Sequence, residues 1–412
     1  MEDGQPMGPP PDADIQYRID DIHQPGQNVD APTRYWGPEP HMRNDSRPSD
    51  QLRRDFAALL GCPNRHGFLG AQPVSFARRS LEELRREDYF VCEKSDGCRY
   101  FLWATVDDQG DECHYLIDRK NQYWHVKRFG LHFPLSEHDP KSFHADSVFD
   151  GELVMDREVD GTFTPRFLVF DCLVLGRTRL MERTLDKRLA YFQERVDKPY
   201  KALLRMHPQE VPFLAFLVEP KGMEFSYGVP KLFQQIPKLK HGNDGLVFTC
   251  RTSPYVFGTD RHILKWKPPH ENTIDFRMSL QFATVRDEDT GESYLDYDSV
   301  PQTIELTAHR GSNQPPERYG NLHVTAEEWE TLKGLGDPLN DRVVECYKDD
   351  EGRWRLHRFR DDKPEANHVS TVAKVLDSID DGVSENDLIE ACDSIKRAWK
   401  EREAAQRAAM RR

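Results

Sequence analysis

The 412-residue chain contains no uninterrupted apolar run of about eighteen residues, so it offers no membrane-spanning helix. Its eight cysteines form no Cys-x-x-Cys pair, and no cysteine–histidine set has zinc spacing. No Gly-x-Gly-x-x-Gly follows a strand-like run, which argues against a dinucleotide fold. Internal repeats are absent. Positive charge is in deficit, with 57 Lys and Arg against 71 Asp and Glu, a formal net charge of -14. Non-specific embrace of a duplex needs a dense basic surface, so any nucleic-acid contact is expected to be local, at an end or in a cleft. The opening residues, Met1-Glu-Asp-Gly-Gln-Pro-Met-Gly8, have neither the basic nor the apolar region of a secretory leader. Cys92, Cys98, Cys172 and Cys250 lie in or beside apolar runs, which predicts buried free thiols in a reducing compartment, cytosol or nucleus.

What is present suffices for two or three domains. Residues 1–48 are rich in Pro, Gly, Asp and Asn, cannot bury enough apolar surface to offset their ordering entropy, and are expected to be mobile. Order is predicted from Ser49, a helix cap, with Leu52, Phe56, Leu59 and Leu60 at helical spacing. Ser80 is expected to cap a short helix through Arg86. Strand patterns follow over Tyr89–Val126, with a hairpin loop at 107–110, then over 147–155, 162–175, 211–218 and 245–250. Residues 185–196 predict a helix with Leu185, Leu189, Phe192 and Val196 on one face. After Pro268 short strands are predicted at 273–285, 293–295, 299–307, 343–348 and 353–360. One helix interrupts them, capped by Thr325 with Glu328 closing a capping box. Five short strands and one helix suit a small barrel of the OB type. Past Pro364 the chain reads as helical, with Ser384 as a start signal and Leu388, Ala391, Ile395 and Trp399 in one stripe.

The residues with the most chemical content are Glu93-Lys-Ser-Asp-Gly-Cys-Arg99. Lys94 is presented at a turn between two buried strands, with the Arg99 cation nearby. A lysine attacks only when neutral, and its ordinary pKa of about 10.4 falls with partial burial and neighbouring positive charge. Such an amine can form a covalent bond to phosphorus. Taken alone, the pattern also fits a surface lysine ahead of a type I turn. Phe149-Asp-Gly-Glu-Leu-Val154 places Glu152 beside an Asp-Gly turn, and Asp171 is an otherwise unpaired acid in a buried strand. Asp244-Gly-Leu-Val-Phe248 sets an acid before a glycine and a strand. Lys265 and Lys267 face one way if 263–267 is a strand, and Arg358–Lys363 form a charged cluster. Each also reads as a loop, a solvated face or a surface turn. Their order makes a nucleotidyl-transfer set: a lysine nucleophile, spaced carboxylates for a divalent metal, and cations for a triphosphate.

In that order the blocks resemble the motifs of the covalent nucleotidyltransferases, specifically the eukaryotic mRNA capping guanylyltransferases of the fungal kind. The resemblance spans roughly residues 50–400 and rests on Lys94-Ser-Asp-Gly97, Asp118-Arg-Lys-Asn121, Phe149–Val154, Leu168–Asp171, Asp244–Phe248, Leu264–Lys267 and Arg360–Lys363. The form of Arg360–Lys363, with Gly70-Ala-Gln-Pro-Val-Ser75 upstream, resembles capping enzymes more than ligases. It implies an α+β nucleotidyltransferase domain with mixed or antiparallel sheets over 49–270, an OB-fold barrel domain over 271–375, and a C-terminal helix over 376–412 packing back on the first domain. Lys94 would attack the α-phosphate of GTP, and the GMP would pass to the diphosphate 5′ end of nascent RNA. Arg99 and Glu152 would hold the ribose, Phe170 would stack on guanine, and Lys221 would donate to its O6. Lys265 and Lys267 would contact the α-phosphate, Arg119 phosphate or ribose, and Asp244 a Mg²⁺ or Mn²⁺ ion. Arg360 and Lys363 would reach the β- and γ-phosphates when the small domain closes. A nuclear location, a separate RNA triphosphatase subunit and docking of the phosphorylated tail of the RNA polymerase II large subunit are also implied.

An ATP-dependent polynucleotide ligase shares this lysine chemistry but calls for a more basic surface. A scaffold that has lost catalysis would carry a broken motif, whereas Lys94, Glu152, Asp244, Lys265 and Lys267 are all in place.

Overall fold

A computed structural model describes residues 49–65, 67–126, 131–268, 271–286, 292–311, 314–349 and 351–410. The expected mobility of residues 1–48 therefore lies outside the described residues. The architecture is mixed α+β and divides into two compact units. The first takes Ser80–Trp266 together with the chain up to Ser75 and from Leu388 onward; the second takes Phe76–Arg79 and Lys267–Asp387. All eight cysteines are free thiols, each buried or half-buried. Among the described residues no helix is long and apolar enough to cross a membrane.

In chain order the first unit begins with α1 (Ser49–Leu59), β1 (Ala71–Ser75), α2 (Arg78–Arg86, shared with the second unit), β2 (Tyr89–Ser95), β3 (Cys98–Val106), β4 (Glu112–Ile117), β5 (Tyr123–His125), β6 (Pro134–Ser136) and β7 (Asp139–Phe143). It continues with β8 (Ser147–Arg157), β9 (Phe163–Leu175), β10 (Thr178–Arg179), α3 (Leu185–Phe192), α4 (Lys198–Met206), β11 (Leu217–Pro220), β12 (Glu224–Phe225), α5 (Val229–Gln235), β13 (Asn243–Cys250) and β14 (Gly258–Trp266). One sheet runs β1-β14-β13-β2-β12 and a larger one β10-β9-β8-β3-β4-β5, with β11 joined parallel to β9. The larger sheet is buried on both faces: Tyr100, Leu102 and Ala104 enter one apolar cluster while Phe101 and Trp103 enter another with Phe56 of α1. Burial on both faces is why β3 reads as a continuous apolar run rather than an alternating one.

Several local expectations are corrected. Helix α2 starts at Arg78, so Ser80 lies inside it and is buried rather than capping it. The helix predicted over 185–196 runs on through a π-helical turn, Gln193–Asp197, into α4. The strand predicted over 211–218 is a 3₁₀ turn, Pro208–Phe213, followed by the short β11, because Pro212 removes a ladder donor and, with Pro208 at the turn's start, holds φ near helical values. Asp150-Gly151 is no turn; it lies within β8. A Cβ at Gly151 would meet the Phe167 ring at 2.6 Å, so the glycine serves close strand packing.

The second unit contains β15 (Ile274–Gln281), β16 (Thr284–Arg286), β17 (Ser293–Leu295), β18 (Thr303–Ala308), β19 (Glu317–Asn321), α6 (Ala326–Gly334), β20 (Val343–Lys348), β21 (Trp354–Phe359) and α7 (Val369–Asp380). Its main sheet runs β19-β18-β15-β20-β21 around Phe276, Met278, Leu306, Val344 and Trp354. Strand β19 has no counterpart in the sequence reading, since Glu317-Arg-Tyr-Gly-Asn321 is polar and half-exposed. Among the described residues the edge strands meet at one parallel bridge, Leu322 with Trp354, so the ladder is not a fully closed barrel although its strand set suits an OB-fold. Thr325 and Glu328 form the predicted capping box. The last helix, α8 (Glu385–Met410), sets Trp399 against Phe225 and Tyr227 of the first unit, with ring centroids 4.8 and 5.6 Å away.

Candidate active site

Lys94 is the penultimate residue of β2, and Ser95, Asp96 and Gly97 lead into β3. The reversal depends on glycine: a Cβ at position 97 would lie 2.6 Å from the Leu153 carbonyl oxygen. The Lys94 Nζ donates to Oδ1 of Asp244 at 2.6 Å, with the two side chains 28% and 24% exposed. Asp244 is offered by a bulge at the start of β13, where the register slips between Asn243 and Leu246 and Gly245 takes φ 147°, a conformation suited to glycine. The same loop is tied to the lysine strand, since Asn243 Nδ2 donates to the Lys94 carbonyl at 3.1 Å and Asp96 N donates to Gly242 O at 2.9 Å.

In the ladder Lys265 of β14 stands opposite Val247, which stands opposite Cys92, so Cys92, Lys94 and Lys265 belong to one face of this sheet. Lys267 is corrected: β14 ends at Trp266, and Lys267 falls in the second unit. It precedes Pro268, which has no N–H with which to extend a ladder.

On the larger sheet Arg99 and Glu152 are direct cross-strand partners. Arg99 makes a two-point ion pair with the fully buried Asp150, Nε to Oδ1 at 3.0 Å and Nη2 to Oδ2 at 2.7 Å, while the Tyr255 hydroxyl donates to Asp150 at 2.6 Å. Burial works against the Arg99 charge, but Asp150 more than offsets it and holds the guanidinium above its usual range. Its guanidinium carbon lies 5.3 Å from the Phe170 ring centroid. Phe170 is half-buried and falls at a β9 bulge, the residue left over where the register slips between Asp150 and Gly151. Asp171, read as unpaired, is bound at two points by Arg188 at 2.7 and 2.8 Å.

Glu152 is the electrostatic centre of the site. Burial raises its carboxyl above the ordinary range, while the charges of Lys221, Lys94, Arg99 and Arg119 act in the opposite direction. Arg119 is exposed, on a turn held by Asp118, whose Oδ1 accepts from the backbone N–H of Lys120 and Gln122 at 2.8 Å each. Lys221 is buried; its backbone N donates to Val169 O at 2.8 Å, one residue from Phe170, and its Nζ lies 2.9 Å from Glu93 Oε1. Among the described residues no cluster of three or more His, Cys, Asp or Glu has metal-holding geometry.

Arg360 and Lys363 gather in the second unit on the buried Asp275. Arg360 Nη1 lies 3.2 Å and Lys363 Nζ 2.5 Å from its carboxylate oxygens, and Arg360 also pairs with Asp362 at 2.8 Å.

Sequence reasoning missed Asp150, Tyr255, Glu93, His241 and Asp275. Asp150 carried a signal, being an acid inside a near-continuous apolar run, which requires a buried cationic partner. Nothing at Tyr255 or His241 marks them in one dimension, because their partners are distant in sequence.

Residues 40–269 match the family model described as mRNA capping enzyme, catalytic domain, and residues 271–389 match mRNA capping enzyme, C-terminal domain. The Neurospora crassa "mRNA-capping enzyme subunit alpha" is 56% identical over 364 residues, covering 85% of this chain and 90% of that protein. Proteins of the same name from Yarrowia lipolytica and Schizosaccharomyces pombe are each 44% identical, covering 88% and 84% of this chain and 92% and 85% of their own lengths.

Proposed function

The chain belongs to the mRNA capping enzyme family, catalytic and C-terminal domains both, and from that premise we infer a guanylyltransferase in which the Lys94 amine carries GMP from GTP to the diphosphate 5′ end of nascent RNA. The observation that carries this reading is Lys94 in contact with Asp244 on the sheet face that also carries Lys265, with Arg99 paired across strands to Glu152. A nucleoside triphosphate brings several negative charges, and this is the cation-lined ground it needs.

In the first step Lys94 Nζ, having given up its proton, forms a bond to the α-phosphorus as the bond to the pyrophosphate oxygen breaks. In the second a terminal oxygen of the RNA diphosphate attacks that phosphorus, and the N–P electron pair returns to the lysine, which regains a proton. Lys265 and Lys267 steady the α-phosphate, Arg99 and Glu152 the ribose, and Phe170 the base, with Arg119 on phosphate or ribose. Arg360 and Lys363 serve the β- and γ-phosphates, held in orientation by Asp275. A divalent ion such as Mg²⁺ binds through one or two carboxylates plus substrate phosphate, which suits the Asp244 carboxylate; bound there it would neutralise phosphate charge. Lys94 must leave Asp244 before it can attack, so Asp244 also governs its release.

The relatives' name, subunit alpha, supports a partner subunit, here assigned as the RNA triphosphatase. Nuclear location and docking on the phosphorylated polymerase tail follow from acting on nascent transcripts. Incubation with α-labelled GTP or ATP and a divalent metal, then denaturation, tests the reading. Label retained from GTP and lost in Lys94→Ala is expected. Label from ATP instead would mean a ligase, and none from either a scaffold.

A further inference from the structure

Lys221 is held by two acceptors from the strand that carries Lys94. Its ammonium pairs with Glu93 Oε1 at 2.9 Å and donates to Ser95 Oγ, the residues on either side of the nucleophile. An ammonium has three N–H donors, so these two contacts leave one. Its backbone is fastened to Val169, next to Phe170. That anchorage sets Lys221 beside the residue on which a base is proposed to stack.

Glu93 is itself locked from behind. Its Oε1 lies 3.7 Å from His241 Nε2, and His241 Nδ1 lies 2.7 Å from Asp156, which Arg166 also holds at 2.7 Å. Glu93, Lys221 and Asp156 are all buried, so each depends on its partners to remain where it is.

We propose that Glu93 is a positioning residue for nucleobase choice: it fixes Lys221 as a charged donor whose remaining N–H donates to the O6 oxygen of guanine and meets another donor in the N6 amino group of adenine. This deepens the guanylyltransferase reading and rests on it. The discrimination is steep because a site built around a buried donor leaves that donor unpaired, or facing another donor, when the wrong base enters. The contrast between the two purines is one of hydrogen-bond sign at a single position. Glu93 touches neither base nor phosphate in this scheme and acts only through Lys221.

The test compares covalent labelling of wild type and Glu93→Gln with α-labelled GTP, ITP and ATP across a concentration series. ITP keeps O6 and lacks only the 2-amino group. In the wild type GTP and ITP are preferred to ATP. In Glu93→Gln the GTP-to-ATP and ITP-to-ATP ratios of labelling efficiency are expected to fall at least tenfold, through a rise in KM for GTP and ITP. Glu93→Asp keeps the charge and is expected to restore part of the ratio; should the Gln variant fail to fold by circular dichroism, the Asp variant with its shorter reach is read the same way for a smaller fall. Equal losses with all three nucleotides, or a ratio kept within twofold, would overturn the proposal even if GTP still labels Lys94. A wild type that labels with no nucleotide would instead remove the guanylyltransferase reading.

Discussion

Asp244 and Lys94, separated by 150 residues of sequence, meet at 2.6 Å across two antiparallel strands. The carboxylate occupies the amine that the chemistry requires, and it does so from a bulge whose backbone only glycine adopts comfortably at position 245. A single contact thus joins the nucleophile, the candidate metal oxygen and the strand register.

Replacing Asp244 with Asn keeps the shape of that contact and removes its charge. The rate of covalent labelling from GTP is expected to fall by about 100-fold or more, because the carboxylate proposed to hold the divalent ion loses its charge. Single-turnover labelling at saturating GTP measures it, and a variant within a fewfold of wild type would show that Asp244 is dispensable.

Asp150→Ala would leave Arg99 half-stripped of its partner in a buried setting. Breaking such a pair costs about 3–5 kcal/mol. Urea unfolding followed by tryptophan fluorescence should show a clearly lowered midpoint, accompanied by loss of GTP labelling.

Acid stability should depend on Glu93. Burial opposes its charge, but His241 and Lys221 prevail and hold its carboxyl down at about 2, below the value of about 4.3 expected when unfolded. A depressed carboxyl contributes stability that is complete above the unfolded value and lost as pH falls towards the folded one. Unfolding midpoints measured from pH 5 to pH 2 should therefore fall less steeply in Glu93→Gln than in wild type. His241 behaves in the opposite sense: burial lowers it, Asp156 and Glu93 more than restore it, and its raised pKa gives stability that is full below about 6.5 and fades as pH climbs above that value. His241→Asn should remove that alkaline loss.

Asp275→Asn would loosen both Arg360 and Lys363 from their shared anchor. Labelling should then need about tenfold more GTP for half-saturation, since the two cations proposed for the phosphates would be less well oriented. A titration of labelling against GTP concentration reads this directly.

The hairpin that carries Lys94 was legible because Lys94, Asp96 and Gly97 sit together between two apolar runs, and the capping box at Thr325 because its two members are three residues apart. The Asp-Gly pairs were legible as positions but not as structures. Gly97 relieves a close approach, Gly151 lies flat within a strand, and Gly245 makes a bulge; the dipeptide is the same and its surroundings decide. Register was out of reach of the sequence, and register is what sets Arg99 opposite Glu152 and Lys265 on the face of Lys94. The buried partners Asp150, His241 and Tyr255 were missed for the same reason. Proline explains the local misreadings near Val211, where a hydrophobic run suggested a strand that Pro212 forbids.

The most direct test is peptide mapping by tandem mass spectrometry after incubation with GTP and a divalent metal, under alkaline handling that preserves a lysine–phosphorus bond. A GMP adduct is expected on the peptide containing residues 93–99, localised to Lys94 and released when diphosphate-ended RNA is added. An adduct on any other residue, or no adduct from a folded, metal-supplied protein, would contradict the account.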